Sequence, residues 1–115
     1  KKKLIDQRYR KELNDIADIK FQEHIPNTDP NCWLFTFRTS KMRKLLDFLN
    51  SNEIQSRPFW TPMNQLPMYS KLEYINTEDI TGRIFLECIS IPSSSNLTEG
   101  QQGEVINTIR KFYQK

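Results

Sequence analysis

Three glycines, one histidine and two cysteines are all this 115-residue chain holds of the residue types that build most small-molecule sites. Each shortage removes a class of function. Gly82, Gly100 and Gly103 cannot make a P-loop or a GxGxxG turn, so no glycine-rich loop cradles a nucleotide's phosphates. His24 has no Cys, Asp or second His at ligand spacing, which argues against zinc and for a side chain on a hairpin. A GxSxG elbow is missing and one histidine does not make a triad, so hydrolase chemistry has no footing. The carboxylate pair Glu78 and Asp79 reads as a helix start, where the dipole favours acids.

Cys32 and Cys88 belong to no CxxC pattern, and no signal-like or membrane-length apolar run accompanies them. They read as two reduced, buried thiols of a cytoplasmic protein, and Asn96-Leu97-Thr98 carries no weight as a glycosylation acceptor. Seventeen basic against fourteen acidic residues give a net charge of +3, all of it contained in the opening Lys1, Lys2 and Lys3. Basic and acidic side chains otherwise interleave, unlike the one-sided basic face of a nucleic-acid binder, so the lysine run reads as a solvated chain end or helix start. The sequence opens without methionine in a charged, helix-like run, as a piece of a longer chain would.

What is present suits one globular domain: 37% hydrophobic residues, seven Phe, four Tyr and two Trp. Leu4, Ile5, Tyr9, Leu13 and Ile16 recur at helical spacing and predict an amphipathic helix over 3–17. A weak strand over 20–25 and the turn-rich NTDPN at 27–31 lead into Cys32-Trp33-Leu34-Phe35-Thr36-Phe37, apolar on both faces and therefore expected at the centre of a sheet. Ser40 is placed to cap a helix that buries Met42, Leu45, Leu46 and Leu49 and ends at Asn50 or Asn52. A strand over 54–57 follows. A third helix from Asn76 or Thr77 would bury Ile80, Ile84 and Cys88, then a strand ends at Pro92. Thr98 and Gln101 form a capping box for a last helix with Val105, Ile109 and Phe112 inward. The order α-β-β-α-β-irregular-α-β-α implies an α+β fold, a two-layer small domain with a mostly antiparallel sheet of three to four strands and helices on one face.

The segment RPFWTPMNQLPMY at 57–69 breaks this regularity with three prolines, three aromatics and two methionines. Prolines forbid a regular helix and leave gaps in a central strand, but they preset a loop that must hold Phe59, Trp60 and Tyr69 in place. Arg57 offers a planar fork for phosphate or carboxylate, and Asn64 offers both a donor and an acceptor. By composition alone, a pocket wall and plain packing are equally good readings.

The run EIQSRPFWTPMNQLPMY, followed by a polar helix and then ISIPSSSNLTEGQQGEVINTIRKFY, resembles the closing domain of the DegT/DnrJ-type sugar aminotransferases. These are pyridoxal-phosphate enzymes of the aspartate-aminotransferase fold. The likeness runs from about Ile5 to Tyr113 and is closest to the branch that aminates 4-keto nucleotide-linked hexosamines. It implies a cytoplasmic, homodimeric transaminase that moves an amino group from glutamate to the C4 ketone of a UDP-sugar. It also implies that the Schiff-base lysine and the acid opposite the pyridine nitrogen lie upstream, so that the chain binds no pyridoxal phosphate itself and contributes no catalytic residue. Its implied share is a pocket wall, with Arg57, Phe59, Trp60 and Asn64 near the sugar or its diphosphate and Tyr69 structural. Many relatives carry histidine where Asn64 stands, so a hydrogen-bonding role survives there and a proton-transfer role does not.

Two readings of other classes stand beside this one. A free-standing RNA-binding sandwich would display Trp33, Phe35 and Phe37 on an open sheet, although the strand lacks the usual glycines and basic residues apart from Arg38. A purely structural or dimerising domain would bury the 57–69 run, with Arg57 and Asn64 away from any cavity.

Overall fold

The computed structural model describes residues 1–114. Helix α1 (Lys2–Leu13) leads to β1 (Lys20–Phe21), β2 (Phe35–Arg38), α2 (Met42–Ser51) and β3 (Arg57–Pro58). A 3-10 turn (Met63–Gln65), α3 (Ile80–Glu87), β4 (Cys88–Ile91) and α4 (Glu99–Tyr113) complete the chain, in the order the sequence predicts. The strands form one antiparallel sheet, β1-β2-β4-β3. Pro58, which has no N–H to give a neighbour, sits on the edge strand, where that loss is tolerated.

Alternation along the two central strands sets the layers. Phe35 faces Ile91 and Phe37 faces Ile89 across the β2–β4 ladder, and all four are buried. Thr36 and Ser90, directly opposite each other in the same ladder, point the other way and share a hydroxyl–hydroxyl hydrogen bond of 2.8 Å. Three helices cover the apolar face: α1 through Ile5, Tyr9 and Leu13, α2 through Met42, Leu45, Leu46 and Leu49, and α4 through Val105, Ile106 and Ile109.

Polar groups lock these layers. The fully buried Tyr9 packs its ring 4.8 Å from that of Phe35 and donates its hydroxyl to the Pro92 carbonyl at 2.7 Å. Burial pushes that hydroxyl's pKa far up, against the opposing pull of Arg8. Gln102 donates to the Ile5 carbonyl at 2.8 Å, and Arg110 reaches the Glu12 carboxylate at 2.6 Å, so α4 is bonded to α1 at two heights. The capping box at Thr98 and Gln101 forms as expected and contributes about 1 kcal/mol to α4.

Several expectations are corrected. Helix α1 stops at Leu13, short of 17, because the chain reverses through Ala17 at φ 47°. Ser40 does not cap α2: the helix begins one residue later, with Lys41 at the N-cap and no side-chain cap bond, while the Lys41 N–H donates to the Thr39 hydroxyl at 3.1 Å and the Ser40 N–H to the Asp18 carboxylate at 2.6 Å. Strand β2 is central yet buried on one face only, with Trp33 and Leu34 outside it and exposed. The third strand begins at Arg57, after Ile54 has already entered the core. Helix α3 buries only Gly82; Ile80 and Ile84 lie exposed, and Cys88 belongs to β4. The free thiols of Cys32 and Cys88 are half-buried, not buried: the first sits on a turn at φ 52°, the second faces the uncovered side of the sheet. The opening lysines are a helix start, as one of the two readings has it, and they are also tied down, Lys2 to the Trp33 and Ser93 carbonyls at 2.8 and 2.6 Å and Lys3 to Asp29.

Asp18 joins the start of α2 to the end of α4. It accepts from the Ser40 N–H and from the Thr39 hydroxyl at 2.8 Å, and Thr39 also meets the Tyr113 hydroxyl at 2.6 Å. Burial alone would raise the Asp18 carboxyl, but the hydrogen bonds from Ser40 and Thr39 together outweigh it and bring the pKa down from 3.8 to about 2. A lowered folded-state value means that the carboxylate's stabilisation is complete above 3.8 and disappears as pH falls through about 2. In urea titrations between pH 5 and pH 2, Asp18→Asn should be less stable than the parent at the upper end and converge with it at the lower end; parallel curves would show that the charge is not what holds this corner.

Candidate functional site

The uncovered face of the sheet is where the chain leaves chemistry in the open. The register puts Arg57 beside Ser90 and Thr36, and Arg38 beside Lys20 and Cys88. Phe59 continues β3 for one more bond, its N–H donating to the Cys88 carbonyl at 3.2 Å, and from there the proline-rich segment departs. A groove of about 650 Å³ runs over this face, walled by Trp33, Leu34, Phe59, Trp60 and Ile84 and floored by Lys20, Thr36, Arg38 and Cys88.

The segment after β3 is an arm of consecutive tight turns. Pro62 is buried and accepts from the Gln65 N–H at 2.9 Å, and further turns close at Met63, Leu66 and Tyr69. Its base is clasped at Asp79, which accepts from the Tyr74 hydroxyl at 3.1 Å and the Gly82 N–H at 3.3 Å. Asp79 takes a left-handed conformation, φ 47°, to do so. Along the arm and α3, Met63, Met68, Leu72, Ile75, Ile80 and Leu86 lie bare.

The site residues expected from sequence separate into three places. Phe59 and Trp60 meet edge to face at 4.9 Å and both line the groove. Asn64, half-buried, lines a second hollow of about 470 Å³ with Tyr69, Tyr74 and Leu72. Arg57 borders neither; it is exposed on the open sheet face, and its guanidinium has no partner among the described residues. Trp33, which the sequence assigns to a strand and to the RNA-binding platform, has its ring 6.2 Å from that of Trp60 in the same groove. Phe35 and Phe37, the other two members of that platform, are core residues, so the exposed aromatic row the RNA-binding reading needs does not exist. Burial raises both cysteine thiols above their ordinary range, Asp6 adding to the effect at Cys32, so neither is an activated nucleophile. His24 accepts from Arg10 at 3.0 Å, and no His, Cys, Asp and Glu cluster suited to a metal occurs among the described residues. Among them, too, no helix is long and apolar enough to cross a membrane.

The family model for the DegT/DnrJ/EryC1/StrS aminotransferases matches residues 1–110. The chain belongs to that family. It is 29% identical over 120 aligned residues to Bacillus subtilis EpsN, which carries the name of a pyridoxal phosphate-dependent aminotransferase; the match takes in 98% of this chain and 31% of EpsN. GDP-perosamine synthase of Vibrio cholerae is 33% identical over 69 residues, or 60% of this chain and 19% of the enzyme. The fold is that of S. venezuelae DesV, solved with a ketimine intermediate: TM-score 0.85 and 24% identity over 99% of this chain and 31% of DesV. The chain therefore spans about a third of EpsN and DesV.

A lysine that carries pyridoxal phosphate works from an enclosed pocket, with an acid set against the pyridine nitrogen. Among the described residues every lysine is exposed except Lys2, which is half-buried and gives its ammonium to two carbonyls. Within this chain, none of the described lysines stands in such a pocket.

The clasp at the arm's base makes a testable point. A Cβ on Gly82 would stand 2.2 Å from Asp79 Oδ2, so Gly82→Ala must expel the carboxylate from the start of α3. We expect a loss of about 1 kcal/mol, typical of a lost helix cap, and faster amide exchange at residues 74–82 than in the α1–α4 core. Unchanged exchange there would mean that the clasp does not hold the arm.

Proposed function

We propose that this chain is the C-terminal small domain of a longer pyridoxal phosphate-dependent transaminase, which takes an amino group from glutamate and delivers it to the C4 ketone of a UDP-linked sugar. The upstream large domain supplies the cofactor site, and the working enzyme is a cytoplasmic homodimer serving the synthesis of surface polysaccharide or nonulosonic-acid precursors. Arg57, Phe59, Trp60 and Asn64 line the substrate side of the cleft.

The observation that carries this reading is the arm itself. In a family member, a proline-braced aromatic segment stands away from the core with an unpaired guanidinium at its root. A core-filling segment would have buried these groups. Ionised and planar, Arg57 suits a diphosphate. Phe59 and Trp60 offer faces to a ring, and the half-buried Asn64 suits a hydroxyl or ketone oxygen. The bare apolar strip on the arm and α3 fits a piece that packs against a larger body.

Two outcomes are expected. The 115 residues alone should give no transamination and retain no pyridoxal phosphate absorbance after gel filtration; a yellow, active preparation would sink the proposal. In the full-length enzyme, Arg57→Ala should raise KM for a UDP-linked 4-keto sugar by about tenfold or more while the half-reaction with glutamate is unchanged. Equal losses in both half-reactions would place Arg57 away from the sugar nucleotide, and preference for a GDP-linked sugar would correct the nucleotide.

A further inference from the structure

We infer that Trp33 and Trp60 together form the stacking platform for the nucleobase of the substrate, with Lys20 as a cationic partner of its diphosphate in the same groove. This rests on the sugar-nucleotide reading above and adds residues from the opposite side of the groove.

These are the only two tryptophans of the chain. They come from distant segments, Trp33 from the end of the β1–β2 connection and Trp60 from the arm, yet their rings lie 6.2 Å apart and only 32° from parallel. Both remain largely in water, Trp33 at 63% and Trp60 at 61% exposure. The backbone of Trp33 is nevertheless held from three sides. Its carbonyl accepts from Lys2 at 2.8 Å and from the Ser93 hydroxyl at 3.4 Å, and its N–H donates to Asn31 Oδ1 at 3.1 Å. Cys32 before it is bent to φ 52°, a conformation a side chain adopts only when its surroundings enforce it. Trp60 is braced by the edge of Phe59 at 4.9 Å. A backbone held this firmly fixes where the exposed indole starts, which lowers the cost of ordering it against a planar ring.

The charges of the groove select what arrives. Arg10 is paired with Asp6 and Arg38 with Glu87, so their cations are already balanced. The Lys20 ammonium has no partner among the described residues, whereas Arg57, likewise unpaired among them, stands on the opposite edge of the sheet and outside this groove. Two aromatic rings in a groove that also holds an uncompensated cation fit a nucleoside diphosphate: the base stacks while the phosphates meet Lys20. Stacking accepts any base, so this platform contributes affinity and leaves the choice of base to other contacts.

The test is competitive inhibition of the full-length enzyme by uridine diphosphate, guanosine diphosphate and inorganic pyrophosphate. Loss of one base–aromatic stack should weaken the inhibiting nucleoside diphosphate by roughly tenfold or more in Trp33→Ala. The inhibition constant of pyrophosphate and the glutamate half-reaction should not move, and Trp33→Phe should restore most of the loss. Lys20→Ala should weaken nucleoside diphosphate and pyrophosphate alike. If Trp33→Ala leaves all the constants at parental values, or shifts pyrophosphate as much as the nucleotide, the platform is refuted while the sugar-nucleotide reading stands. If neither nucleoside diphosphate inhibits the parent enzyme, both fall together.

Discussion

A four-stranded sheet with helices on one side only is the constraint from which the rest of this molecule follows. Phe35, Phe37, Ile89 and Ile91 must leave water, and α1, α2 and α4 together provide just enough apolar surface to receive them. The same pleat that turns these side chains inward turns Thr36, Arg38, Cys88 and Ser90 outward. The core and the open polar face are thus two consequences of one alternation.

Position on the sheet then explains the arm. Because β3 lies at the edge, its proline costs no ladder bond, and the chain can leave after Phe59 without tearing a hole in the sheet. Prolines at 58, 62 and 67 restrict the exit to a series of turns, and the Asp79 clasp returns the chain to α3 and β4. The arm's aromatics consequently hang over the uncovered face, opposite Trp33.

Elements whose reasons are local were legible. The helix over 42–51 shows its buried stripe directly, and the Thr98–Gln101 box needs only four consecutive residues. So was the irregularity of 57–69, since proline acts on its own backbone. The failures have non-local causes. The backbone of Ser40 is tied to Asp18, 22 residues earlier, and α2 starts past it at Lys41, while α3 reads as amphipathic although Ile80 and Ile84 stay exposed. Trp33 read as strand because its neighbours are apolar; the backbone turn at Cys32 and the bonds from Lys2, Asn31 and Ser93 take it out of the strand.

Sequence alone determined the α+β class, the order of elements, most residues of three helix faces, with Leu4 exposed and Ile16 beyond its helix as the exceptions, and the location of the proline-braced arm, because periodicity, caps and proline geometry act over a few residues. Only the tertiary structure decided which face of the sheet stays open, which cations keep their charge free, and that two tryptophans 27 positions apart share one groove. Those outcomes depend on pairings between distant segments, and pairings are settled by the burial and hydrogen bonding of the whole chain at once.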